Sequence, residues 1–196
     1  MGYDLLAAVF FVAMTPLVIV GFVTFWVVNA RDHEELAGIW RAYAKKRGLG
    51  FLEPAREWPN RTPPVITWNE GSTELRISAI SREADVRTRL TVRPRGALLG
   101  VLVMTTPEHG TDFHVTERPD GFSQRIVTDR VRRALLGFRQ RDKLVIRYKR
   151  GALVLDWPGG ERNDARLDEA RRLGLEMAAT IEAEFAGVAN AHKPAA

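Results

Sequence analysis

The sequence predicts an α+β protein: an N-terminal transmembrane helix, then a mainly antiparallel β-sheet domain with two or three packed helices. Three observations predict it. No residue from Leu5 to Val28 carries a charge. From about Leu49, short β-rich segments follow one another with turn residues between them. Residues 128–138 and 164–187 place apolar side chains at helical spacing.

The uncharged run reads LLAAVFFVAMTPLVIVGFVTFWVV. As a helix it would reach roughly 36 Å, enough to cross a hydrocarbon core of about 30 Å with some tilt. Pro16 and Gly21 are tolerated in such helices. A cleaved signal peptide is disfavoured, because no Lys or Arg precedes the run and it exceeds the usual apolar length. Residues 1–30 are therefore expected to be the anchor, with Phe25 and Trp26 suited to an interfacial aromatic belt and Phe10, Phe11, Phe22, Phe25 and Trp26 expected against neighbouring spans or pigments. Arg31, Arg41, Lys45, Lys46 and Arg47 all follow the span. The positive-inside bias then predicts a single-pass inner-membrane protein with its N-terminus outside and its C-terminal domain cytoplasmic.

Residues 31–48 read as an amphipathic connector helix. Leu36, Ile39, Trp40 and Tyr43 form a narrow apolar stripe, and Gly48 is placed to end the helix after Lys45, Lys46 and Arg47. One expectation puts Trp40 and Tyr43 at headgroup level with the three cations on lipid phosphate. The other docks the stripe on the domain that follows.

That domain is expected over 49–187, with a flexible tail at 188–196. Strand character occurs at 48–53, 64–70, 74–81, 86–92, 98–105, 112–117, 122–127, 143–149 and 152–157. Arg150-Gly151 is the best hairpin turn, since two β-rich runs meet across it. Thr128 is a plausible N-cap for the first domain helix, which groups Val131, Leu135 and Phe138. The second starts at Asp164 and carries a stripe of Leu167, Ala170, Leu173, Met177, Ile181 and Phe185.

Composition narrows the chemistry. The absence of cysteine excludes disulfides, thiolate metal sites and a Cys nucleophile. The net charge of +5 is uneven: residues 82–150 carry 16 basic and 8 acidic side chains. A basic middle favours an anionic neighbour, whether lipid headgroups, an acidic protein face or nucleic acid.

No catalytic or cofactor motif stands out. Glu108, His109, Asp112 and His114 offer metal-ligand types, but they straddle Pro107 and Gly110 in what reads as a loop entering a strand. Ser81 and Ser123 have no nearby His, and Gly48-Leu49-Gly50 and Gly159-Gly160 lack phosphate-loop spacing. Asp168-Glu169 sits at a helix start, where the macrodipole favours acids anyway. The expectation is a protein with no enzymatic activity, no cofactor and no metal.

The most distinctive local feature is the segment from Val86 to Arg95. Strand alternation puts Arg87, Arg89, Arg93 and Arg95 on one face, available to phosphates or carboxylates. Arg130, Arg132, Arg133, Arg139 and Arg141 are candidates to extend the patch. No aromatics interleave with these arginines, so nucleic acid is not the expected partner.

Trp40-x-x-Tyr43-Ala44 leads to Gly48-Leu49-Gly50-Phe51, and Thr88-Arg89-Leu90-Thr91-Val92 follows. Further on come Phe113-His114-Val115 and Ile126-Val127-Thr128-Asp129-x-Val131-Arg132-x-Ala134-Leu135-Leu136. Over about two thirds of its length the chain thereby resembles an uncharacterised family of bacterial single-span, membrane-anchored α+β proteins. The resemblance implies the architecture and no activity. The expected role is a non-enzymatic accessory or stabilising subunit of a larger membrane complex, such as a photosynthetic or respiratory one. The alternative is a membrane-tethered cytoplasmic binding or sensor module for an anionic ligand, acidic lipid or protein.

Overall fold

A computed structural model describes the backbone of residues 2–55, 62–82, 85–106, 113–139 and 143–191. It describes side chains over 14–21, 33–55, 62–80, 86–106, 113–138 and 143–188. The chain folds as α+β, and the described residues form one eight-stranded antiparallel sheet and four helices.

Helix α1 (Gly2–Arg47) is continuous, so the segments expected as anchor and connector form one 46-residue helix. Among the described residues, no helix is long and apolar enough to cross a membrane. Most side chains of the Leu5–Val28 run, including those of Phe10, Phe11, Phe22, Phe25 and Trp26, lie outside the described ones. Within the described part, Leu17, Val18, Ile19 and Val20 are each more than half exposed. Four consecutive helical residues point in four directions, so the helix is bare on all sides here.

The far end of α1 behaves differently. Leu36, Ala37, Trp40, Tyr43 and Ala44 are buried in the domain core. Gly48, with φ of 66°, ends the helix in the left-handed conformation that a glycine adopts without strain.

The sheet comprises β1 (Gly50–Leu52), β2 (Val65–Glu70), β3 (Thr73–Arg82), β4 (Asp85–Arg93), β5 (Val101–Thr105), β6 (His114–Arg118), β7 (Val145–Lys149) and β8 (Ala152–Pro158). Strands β1 to β4 form a meander. The order β1-β2-β3-β4-β8-β7-β5-β6 then inserts the last hairpin between β4 and β5. Arg150 and Gly151 form the two-residue turn of that hairpin, with φ of 54° and 74°. Two positive φ values give the turn the twist that flanking strands require.

Helix α2 (Phe122–Ile126) corrects the strand expected at 122–127. Phe122 and Ile126 are both buried, and their four-residue spacing suits one face of a helix rather than an alternating strand. The Glu117 carboxylate caps this turn by accepting the backbone N–H groups of Gly121 at 2.9 Å and Ser123 at 2.5 Å. Those bonds, the Ser123 N–H foremost, hold its pKa below the ordinary carboxylate value. A carboxylate depressed in the folded state stabilises the fold above its unfolded pKa, and the contribution disappears as pH falls through the folded value. Glu117→Gln is therefore expected to flatten the decline of melting temperature on acidification below about pH 4.3, the ordinary glutamate pKa. Superimposable pH profiles for the two proteins would refute this.

Helix α3 (Asp129–Arg139) starts where expected. Thr128 caps it, its carbonyl accepting from Arg132 at 2.8 Å and its hydroxyl from Val131 at 3.3 Å. Helix α4 (Asp164–Ala191) runs four residues beyond the expected end, so 188–191 are helical rather than tail, and residues 192–196 lie outside the described residues. Leu167, Ala170, Leu173, Met177 and Ile181 bury the expected stripe, whereas Phe185 is 40% exposed.

All four helices pack on one face of the sheet, in one cluster with Ile66, Leu75, Ile77, Leu90, Leu102, Leu153 and Leu155. Close approach at Gly174 sets α4 on β4. A Cβ there would lie 2.9 Å from Leu90 Cδ2 and 2.9 Å from Val92 Cγ2, both in the core. Gly174→Ala should gain about 1 kcal/mol of helix propensity but lose about 1–3 kcal/mol to overpacking. A net loss near 1 kcal/mol is expected in chemical denaturation, and net stabilisation would contradict this packing.

Candidate functional site

With the helices on one side, strand alternation decides what the other face carries. In register, Glu74 stands opposite Arg93, Arg76 opposite Thr91, and Ser78 opposite Arg89. Arg89 in turn faces Asp156 on β8, and Arg147 on β7 faces Val154. Lys149 and Arg118 extend the row across β5 to β6, both flanking Val101. With Arg87, on the same face of β4 by alternation, seven cations among the described residues thus share the open face with two carboxylates, Glu74 and Asp156.

Asp156 organises the centre. Its carboxylate is 3% exposed and accepts from Arg89 Nε at 2.7 Å and Nη2 at 2.9 Å, and from Arg147 Nη1 at 2.8 Å. These bonds hold the Arg89 guanidinium above its ordinary pKa, against the opposing effect of burial. Two bonds from one guanidinium fix its plane, while the second arginine keeps the cluster cationic.

The four arginines expected on one face separate. Arg89 is committed to Asp156. Arg87 spends its guanidinium on backbone carbonyls, those of Lys143 at 3.0 Å and Asp156 at 3.3 Å. Arg93 is exposed and meets Glu74 at 3.5 Å. Arg95 leaves the face because β4 ends at Arg93, and its backbone N–H donates to Glu182 of α4 at 2.6 Å. Arg76 and Arg147 join instead, and only the strand pairing brings them there. Arg130 is paired with Glu176 at 2.8 Å on the helical layer, and Arg132 and Arg133 belong to the same helix α3. They do not extend the sheet-face patch. The side chains of Arg139 and Arg141 lie outside the described residues.

The connector's apolar stripe follows the second expectation, docking on the domain, which corrects the headgroup placement of Trp40 and Tyr43. Trp40 is 0% exposed, and its Nε1 donates to the Glu161 carbonyl at 2.7 Å. The Tyr43 hydroxyl donates to Asp168 at 2.8 Å; burial, then that bond, raises its pKa, so it stays protonated. Lys46 pairs with Asp164 at 3.0 Å and Arg47 pairs with Asp168, while Lys45 is exposed.

Glu161 is the hub of this junction. Its N–H donates to Thr88 Oγ1 at 2.8 Å, and its carboxylate accepts from Trp157 Nε1 at 3.2 Å. Thr88 also donates to the Gly159 carbonyl at 2.8 Å. Helix α1, β4 and β8 are therefore tied together at one turn. Glu35 and Arg162, paired at 3.0 Å, extend the tie toward the N-terminal half of α1.

No family model, curated protein or solved structure matches the chain. Glu108, His109 and Asp112 lie outside the described residues, and His114 is exposed on edge strand β6. Among the described residues, no cluster of three His, Asp or Glu side chains is placed to hold a metal.

Proposed function

We propose that this protein is a membrane-anchored, non-enzymatic accessory subunit whose open sheet face docks on an acidic surface of a larger membrane assembly. One observation carries the proposal: an eight-stranded sheet places its helices on one face and leaves a row of cations on the other. A basic face steers association toward acidic partners and sets its orientation. The uncharged stretch Leu5–Val28, with its bare residues 17–20, supports the anchor. The continuous α1, clamped by Trp40 and Tyr43, supports a domain held rigidly to that anchor rather than on a loose tether. On this reading α1 inserts with its N-terminus outside and the domain in the cytoplasm.

Native membranes solubilised in mild detergent and separated by size provide the test. The protein is expected to migrate with one assembly in fixed ratio, as quantified by mass spectrometry. Arg118→Glu with Lys149→Glu, both exposed on the open face, should reduce that association at least tenfold and leave the melting temperature unchanged. Migration of the native protein by itself would overturn the proposal.

A further inference from the structure

A groove of about 320 Å³ lies on the open face along β3 and β4. Arg76, Ser78, Arg89, Thr91 and Arg93 line it, with Glu74 at one end. The antiparallel register makes Arg76 the direct neighbour of Thr91 and the diagonal neighbour of both Arg89 and Arg93. Diagonal positions lie about 7–8 Å apart, within reach of long side chains. Three guanidinium groups and two hydroxyls therefore line one groove on two adjacent strands.

Their commitments differ. Arg89 is held on Asp156. Arg93 meets Glu74 at 3.5 Å, with 65% and 53% of the two side chains exposed. An exposed pair of that kind contributes about 0–1 kcal/mol, so a stronger anion displaces it. Arg76 is exposed and makes no ion pair among the described residues. Two arginine forks and two hydroxyl donors thus converge without a strong internal acceptor.

We propose that this groove binds a phosphate group, of the phosphomonoester class. A carboxylate presents two oxygens and one charge. A phosphomonoester presents three terminal oxygens and up to two charges, which matches two guanidinium forks plus the hydroxyls of Ser78 and Thr91. Among the described residues no aromatic side chain lines the groove. A soluble phosphate and a lipid headgroup share this chemistry. Thr91 is five residues along β4 from Val86, roughly 17 Å. Val86, in turn, lines a small cleft with His33 and Leu36 of α1. That separation favours a soluble source.

The proposal goes beyond docking and fails separately from it, because co-migration reads the assembly and titration reads the groove. The full chain is reconstituted in phosphatidylcholine nanodiscs and titrated calorimetrically with inorganic phosphate. Saturable binding with one site per chain is expected. Arg76→Ala and Arg93→Ala should each weaken it at least tenfold with unchanged melting temperature. Arg118→Ala, on the same face but outside the groove, should change it less than twofold. Repeating the titration with phosphatidic acid in the nanodisc separates the sources. An unchanged isotherm supports a soluble ligand, whereas loss of phosphate binding supports the groove with a headgroup as occupant. Absence of saturable binding in phosphatidylcholine, or binding that Arg76→Ala and Arg93→Ala leave intact, would overturn the proposal.

Discussion

Replacing Trp40 with alanine is expected to destabilise the domain by about 3–5 kcal/mol, the usual cost of deleting a fully buried large aromatic. The indole is 0% exposed, and its N–H satisfies the carbonyl of Glu161, the residue that also anchors Thr88 and Trp157. Loss of the ring leaves a cavity between α1 and the sheet and frees the one turn that joins three elements. For a chain of this size the melting temperature should fall by roughly 10 °C. Amide exchange should rise over residues 33–47, because that part of α1 would lose its main hold on the domain. Trp40→Phe keeps most of the apolar bulk but loses the N–H, so it should cost about 1–3 kcal/mol for the unsatisfied Glu161 carbonyl. A loss below 1 kcal/mol for the alanine variant would show that α1 is not clamped here.

Asp156→Ala is expected to cost about 2–3 kcal/mol. Breaking a buried ion pair by removing one partner costs about 3–5 kcal/mol, because the remaining charge is left uncompensated. The lower figure applies because the Arg89 and Arg147 side chains are 29% and 35% exposed, so water takes up part of their solvation. The carboxylate itself is 3% exposed and separates two guanidinium groups that would otherwise face one another. In a double-mutant cycle, Asp156→Ala and Arg89→Ala should couple by about 0.5–3 kcal/mol, as residues sharing one network do. Additivity within 0.3 kcal/mol would show that Asp156 acts alone. The same substitution should also loosen phosphate binding, since Arg89 would no longer be held in place beside the groove.

Much of the fold was legible because its signals are local. Arg150-Gly151 declared a hairpin turn, and both residues adopt the positive φ that such a turn needs. Thr128 declared the start of α3, and the Leu167–Ile181 stripe declared the buried face of α4. At Phe122 and Ile126 the β-propensity of a segment only five residues long masks the helical spacing. The candidate site was half legible. Alternation within β4 placed Arg87, Arg89 and Arg93 together, but it also counted Arg95 beyond the strand's end.

The uncharged N-terminal run, the basic middle, the Arg150-Gly151 hairpin and the amphipathic faces can be read without a fold, because each depends on residues close together in the chain. Tertiary structure alone decided which charges meet. Asp156 reaches Arg89 across 67 positions, and Arg76 reaches Thr91 only through the β3–β4 register. It also decided that Trp40 and Tyr43 face the domain core. The physical reason is common to these cases. Periodicity defines the face a residue occupies on its own element, whereas the partner of that face depends on strand order and register. Those are selected by burial of the whole core, with β7 and β8 closing between β4 and β5.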